Sequence, residues 1–96
     1  MNLVECVIEG SYSKLARLVS NGADLDKQDD QGHTALIFAT SVNKIAFVEL
    51  LIDKGADLNL ETIGGVTALE WSLINKNNEI SVLLIGAGAK LGSRFK

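Results

Sequence analysis

Gly55-Ala56-Asp57-Leu58 is the second appearance of a tetrad that stands 33 residues earlier as Gly22-Ala23-Asp24-Leu25 and 33 residues later as Gly88-Ala89-Lys90-Leu91. Working outward from it, Leu18, Leu51 and Leu84 keep the same offset, and so do Val19, Ile52 and Ile85. Further along, Gly32-His33-Thr34-Ala35-Leu36 falls on Gly65-Val66-Thr67-Ala68-Leu69, with Leu3 in the place of a third leucine. Between 29–61 and 62–94, 10 of 33 positions are identical. Chance gives about two, at roughly 6% identity per position. The chain is a repeat, and a period of this length means units that bury their apolar faces on one another.

Each unit carries the signals of two short helices. Thr34 and Thr67 open apolar-periodic runs, where a hydroxyl can satisfy a free backbone N–H of the first turn. The runs predict first helices over 2–9, 34–42 and 67–75, ended by Gly10, Asn43 and Lys76. A left-handed residue is easy there for Gly and tolerable for Asn, and Lys76 fits least well. Second helices are predicted over 12–21, 44–54 and 78–87, with apolar residues three and four apart, and Gly22, Gly55 and Gly88 stop them. The polar stretches 26–32 and 59–65 read as turns. The expected architecture is an all-α solenoid of about three stacked helix–turn–helix units joined by β-turn or hairpin-like loops. It forms one domain over 1–96, with units at 1–28, 29–61 and 62–92 and a tail at 93–96.

These residues resemble the ankyrin repeat, whose 33-residue unit is a β-turn followed by two antiparallel helices with a Thr-Pro-Leu-His-x-Ala opening. The middle unit reads Gly32-x-Thr34-Ala35-Leu36-Ile37-Phe38-Ala39 and then Leu50-Leu51-Ile52-x-x-Gly55-Ala56-Asp57-Leu58-Asn59. The third keeps Gly65-x-Thr67-Ala68-Leu69, Leu83-Leu84-Ile85 and Gly88-Ala89; the first keeps Leu3, Cys6 in the small-residue slot, and Leu18-Val19-x-x-Gly22-Ala23-Asp24-Leu25. The likeness covers 2–92. Two departures stand out. There is no proline, so Ala35 and Ala68 fill its place, and Val4, Ile37 and Glu70 occupy the place of the motif histidine. That imidazole ties the threonine turn to neighbouring backbone in the family, so its loss is expected to loosen these loops.

Composition narrows the chemistry. The chain carries 9 basic and 12 acidic residues, a net charge of -3, and the counterion-release affinity for nucleic acid needs clustered cations instead. No apolar run reaches the ~20 residues of a membrane-spanning helix. The first residues lack the basic run of a secretory signal, and a single cysteine suits a reducing compartment, so a cytoplasmic location is expected. One cysteine and one histidine cannot build a zinc site. A nucleophile–base pair would have to use His33, which sits in a turn. The acids Asp24, Asp26, Asp29 and Asp30 lack the Gly and Glu of a calcium loop at the required spacing. Gly86-x-Gly88-x-x-x-Gly92 is followed by too few residues for a dinucleotide-binding helix. No catalytic residue, cofactor or metal ligand is expected, and the chain is not expected to be an enzyme.

What is expected is a protein-binding face. By the resemblance, the contact positions are Asp30, Gln31, His33, Ser41 and Val42 in the middle unit. The third contributes Ile63, Gly64, Val66, Ile74 and Asn75, and the first Ile8 and Glu9. Ile8, Val42, Ile63, Val66 and Ile74 make this strip unusually apolar for solvated positions, which points to a partner protein. Phe38 and Trp71 are expected in the core. The last helix, with Ile80, Val82, Leu83, Leu84 and Ile85, has little polar face. Its cover is expected from residues 91–95 folding back, from a second copy in a homodimer, or from a continuing array. The readings that follow are an adaptor, inhibitor or immunity-type protein and, in second place, a structural segment that self-associates or belongs to a longer array.

Overall fold

A computed structural model describes residues 2–93. Its helices start where short polar side chains can reach back to a free N–H. Asn2 Oδ1 accepts from Glu5 N at 2.9 Å, Thr34 Oγ1 from Ile37 N at 3.1 Å, and Asn77 Oδ1 from Ile80 N at 3.1 Å. The elements are α1 (Leu3–Glu9), α2 (Tyr12–Ser20), α3 (Ala35–Ser41), α4 (Ile45–Asp53), α5 (Ala68–Ile74) and α6 (Asn78–Gly86), with no strand among the described residues. They differ from the predicted spans only by capping residues.

One hydrogen bond closes every helix pair. Ser11, Lys44 and Asn77 donate their N–H to the carbonyls of Cys6, Ala39 and Ser72 at 3.0, 2.9 and 2.9 Å. That bond needs a left-handed residue just before the donor, supplied by Gly10, Asn43 and Lys76. The closure recurs at the end of each second helix, where Ala23, Ala56 and Ala89 donate to Leu18, Leu51 and Leu84. Lys76, with φ 56°, accepts the unfavourable conformation because the link admits no other.

The pairs stack so that α1, α3 and α5 form one row and α2, α4 and α6 a second. Between the rows lie Cys6, Val7, Leu15, Leu36, Ile37, Val48, Leu51, Leu69, Ile80 and Leu84, all buried. A helix of seven to nine residues is marginal alone, so this shared apolar layer is what holds each one helical.

The loops stack as well. Asp57 N donates to Asp26 Oδ1 at 2.7 Å, and Lys90 N donates to the equivalent Asn59 Oδ1 at 2.8 Å. Gln28 Nε2 bridges the carbonyls of Gly32 and Glu61 at 2.9 and 2.8 Å. Gly32 has φ 83°, and a Cβ there would stand 2.8 Å from Thr62 Cα and 2.9 Å from Ile63 N, so no larger residue fits between the two loops.

Two expectations change here. The missing histidine does not leave the threonine turn before α5 untied, because the buried Glu70 takes over: its Oε1 accepts from Thr67 N at 3.4 Å and from Gly92 N. The second change concerns the chain after α6. Residues 90–93 run across the start of α5 rather than over the outer side of α6. The Lys90 carbonyl lies 3.2 Å from the Thr67 hydroxyl, and Ser93 N and Oγ donate to Glu61 at 2.8 and 2.6 Å. Those buried and loop carboxylates outcompete an apolar surface for a polar tail. Val82 and Ile85 stay 69% and 58% exposed; Arg94, Phe95 and Lys96 lie outside the described residues.

Candidate protein-binding surface

On each helix of the first row, less buried side chains recur at i, i+3 and i+4, which is one face of a helix; Val4 and Leu73, also less buried, lie off that spacing. On α1 they are Glu5, Ile8 and Glu9, on α3 Phe38 and Ser41 followed by the cap Val42, and on α5 Trp71 and Ile74 followed by the cap Asn75. The 33-residue offset lines the three faces up side by side as one strip. The loop tips Asp30, Gln31, Ile63 and Gly64, all exposed, extend it.

The apolar members of the strip are open to solvent. Ile8 is 64% exposed, Ile63 75%, and Val42 and Ile74 are exposed beside them. Glu9 is exposed and meets Lys14 Nζ at 3.3 Å. Ser41 is half-buried and donates its hydroxyl to the Phe38 carbonyl at 2.8 Å. Asn75 Nδ2 donates to the carbonyls of Ser41 and Thr40 at 3.1 and 3.5 Å, so it joins neighbouring helices as well as lining the strip. His33 packs edge-on to Phe38 with ring centroids 5.7 Å apart, and its Nδ1 lies 3.6 Å from Asp29 Oδ1.

Val66 does not belong to the exposed strip. It is only 9% exposed, because Thr62 folds the turn shut around it: Thr62 N donates to the Val66 carbonyl at 3.0 Å and Val66 N to Thr62 Oγ1 at 3.3 Å. Closing so tight a turn sends the side chain inward, as the half-buried His33 does in the preceding loop. Phe38 and Trp71 also depart from expectation. Each packs one side against the core but keeps part of its surface open, and each occupies the first position of the strip. The indole N–H of Trp71 is buried and has no acceptor among the described residues, so the ring offers the strip no donor. Glu5, Phe38 and Trp71 are the positions sequence reasoning passed over. The signal was their spacing of three and four from residues already chosen.

Chemically active groups are placed for structure. Cys6 is buried, and burial, with the nearby Glu9 carboxylate adding to it, pushes its thiol above the ordinary value. At Asp29, desolvation would raise the carboxyl pKa, but N–H donors from His33 and Gln31 at 2.8 and 2.9 Å outweigh it and hold the group below its usual value. Among the described residues no helix is long and apolar enough to cross a membrane.

A family model for ankyrin repeats, in three copies, matches residues 3–94. The chain belongs to the ankyrin repeat family. Over 89 residues it is 33% identical to the inactive serine/threonine-protein kinase TEX14 of Bos taurus, covering 93% of this chain and 6% of that protein. The ankyrin repeat domain-containing protein SAT10 of Stachybotrys chartarum is 33% identical over 91 residues, covering 95% of this chain and 5% of that protein. The solved structure of the Legionella effector AnkH superimposes with a TM-score of 0.87 at 32% identity, over 92% of this chain and 19% of that one. The ankyrin chain thus spans a small part of the length of each of these proteins. Ankyrin repeats are in general protein–protein interaction modules without catalysis of their own.

Proposed function

We propose that this ankyrin chain is a single cytoplasmic domain that binds one partner protein through the strip formed by Ile8, Glu9, Asp30, Gln31, His33, Ser41, Val42, Ile63, Gly64, Ile74 and Asn75, with Phe38 and Trp71 in its floor. It acts as an adaptor, inhibitor or immunity-type protein, with no cofactor and no catalytic step. The observation that carries the reading is that all three helix pairs place an exposed apolar residue, Ile8, Val42 and Ile74, on the corresponding face. Surface apolar residues scatter on ordinary monomers, and a rimmed line of them marks a docking face. Affinity capture from native extract tests it. Ile8→Asp with Ile74→Asp should leave the helical circular dichroism and melting temperature unchanged and abolish capture of the partner. Undiminished capture by the folded double variant sinks the proposal.

A second reading rests on the open end of the stack. Leu73 is exposed on α5, although its equivalents Val7 and Thr40 are buried under the next helix of the row. With Ile85, exposed where its equivalent Ile52 is half-buried, it leaves the end of the stack apolar, and Val82 adds apolar surface on the outer side of α6 beside Ile45. This surface suits a homodimer, and the end suits a further unit of an array. Light scattering over a range of concentrations decides: a strict monomer removes the homodimer, and loss of association in Val82→Glu supports it.

A further inference from the structure

The strip changes character from one end of the stack to the other. Its helix positions read Glu5, Ile8, Glu9 over the first pair, Phe38, Ser41, Val42 over the second, and Trp71, Ile74, Asn75 over the third. The exposed loop tips grade in the same sense: Asp30 and Gln31 in the first loop become Ile63 and Gly64 in the second. Helices and loops are separate elements, so the two gradients are independent observations. None of these positions holds Lys or Arg. Two cations lie near its acidic end: Lys14 meets Glu9 as an exposed pair whose side chains are 48% and 42% open, a geometry that water screens, and Lys44 Nζ lies 4.0 Å from where a Cβ on Gly10 would stand.

Resting on the reading that this strip is the binding face, we propose that it takes a polypeptide segment with Lys or Arg at one end and large apolar side chains at the other. The cationic end lies over Glu5, Glu9 and Asp30, and the apolar end over Trp71, Ile74 and Ile63. Two steps between neighbouring helices of the row, at ~8–10 Å each, set the span near 20 Å. About 13 helical residues, or about six extended ones, cover that length. The division of labour follows from the physics of the two ends. Exposed carboxylates steer and orient an incoming cation in a salt-dependent way, whereas the desolvated aromatic and aliphatic groups set how long it stays.

Selection from a displayed random library of peptides of about 15 residues, long enough for that span, tests the proposal on the immobilised full chain. Three baits are compared: the wild type, Glu9→Lys with Asp30→Lys (which leaves the Asn2–Glu5 capping box intact), and Ile74→Asp. The wild type should enrich peptides with Lys or Arg clustered at one end and Leu, Phe or Trp at the other. The charge-reversed bait should enrich acidic ends instead, keep the apolar ends, and bind the wild-type peptides roughly tenfold more weakly. Trp71, the single tryptophan, should shift its emission on binding, and Ile74→Asp should abolish both shift and selection. If the enriched peptides carry no cationic end, or are indifferent to charge reversal, while Ile74→Asp still abolishes binding, the graded partner is overturned and the strip reading stands. Peptides indifferent to Ile74→Asp, or no enrichment at all, overturn both.

Discussion

Where the second and third helix pairs meet, Asn75 reaches the carbonyls of Thr40 and Ser41, and Asn77 Nδ2 donates to Asn43 Oδ1 at 3.2 Å. Where the first and second pairs meet, no hydrogen bond among the described residues joins α1 or α2 to α3 or α4. The equivalents of Asn75 and Asn43 there are Val42 and Gly10, and the contact is left to Leu3, Cys6 and Val7 packing against Leu36 and its neighbours. Apolar contact is non-directional, and hydrogen bonds fix position. The first pair is therefore the part that opens at the lowest free energy, in a fold whose units contact only their neighbours.

The largest expected effect breaks that weaker junction. Leu15→Ala empties the one fully buried site on α2 and should cost ~2–5 kcal/mol. Cys6 should then react with a thiol reagent while Trp71 emission stays native; joint changes in both signals would show that the two junctions open as one. Next comes the stronger end. Glu70→Ala removes the acceptor of Thr67 N and Gly92 N and should cost about 1.5–3 kcal/mol. Hydrogen exchange at those two amides should quicken, and unchanged protection would deny Glu70 its role. The difference can also be erased. Val42→Asn places an amide where Asn75 stands one unit later, within reach of the Val7 and Ile8 carbonyls, for a gain of about 0.5–1.5 kcal/mol. Slower Cys6 labelling confirms the gain, and an unaltered rate contradicts it.

Smaller effects compare the helix starts and the loops. Ala35 and Ala68 are the first residues of α3 and α5, each after an extended threonine. Proline suits that position, so Ala35→Pro and Ala68→Pro should each add ~0.4–1 kcal/mol, read as a higher melting temperature. The two loops should also differ in acid. Asp29 closes the first loop, and neutral Thr62 closes the second. Because the Asp29 carboxyl is held below its usual value, its contribution is present above about pH 4 and is lost as pH falls through the lowered one. Amides of the first loop should lose protection below about pH 4 relative to the second, and Asp29→Asn should remove the difference.

Most of the stack was legible because repetition marks the same boundary two or three times. Thr34, Gly55 and Leu51 each say little alone, but their equivalents agree, and the helices fall within a cap of their predicted ends. The exposure of the strip followed from the resemblance: Ile8, Val42, Ile63 and Ile74 are exposed at the positions it implied. What spacing does not carry is direction within a tight turn, which is why Val66 reads as a tip and turns inward. Nor does it carry partial burial, so Phe38 and Trp71 read as core although each keeps an open side. Glu70 was misjudged for another reason. A carboxylate in the place of the motif histidine reads only as a lost tie until the N–H donors it serves, one of them 22 residues away, are known.

The loop ladder passes from Asp26 to Asn59 and would next fall on residue 92, which is glycine. A Cβ there would collide with the Gly65 carbonyl and the Glu70 carboxylate, so the rung is missing by steric necessity. A neighbour arriving at this end meets grease without a side-chain latch at that rung. It can settle on Leu73 and Ile85 in more than one alignment, as two smooth plates slide where two combs would mesh.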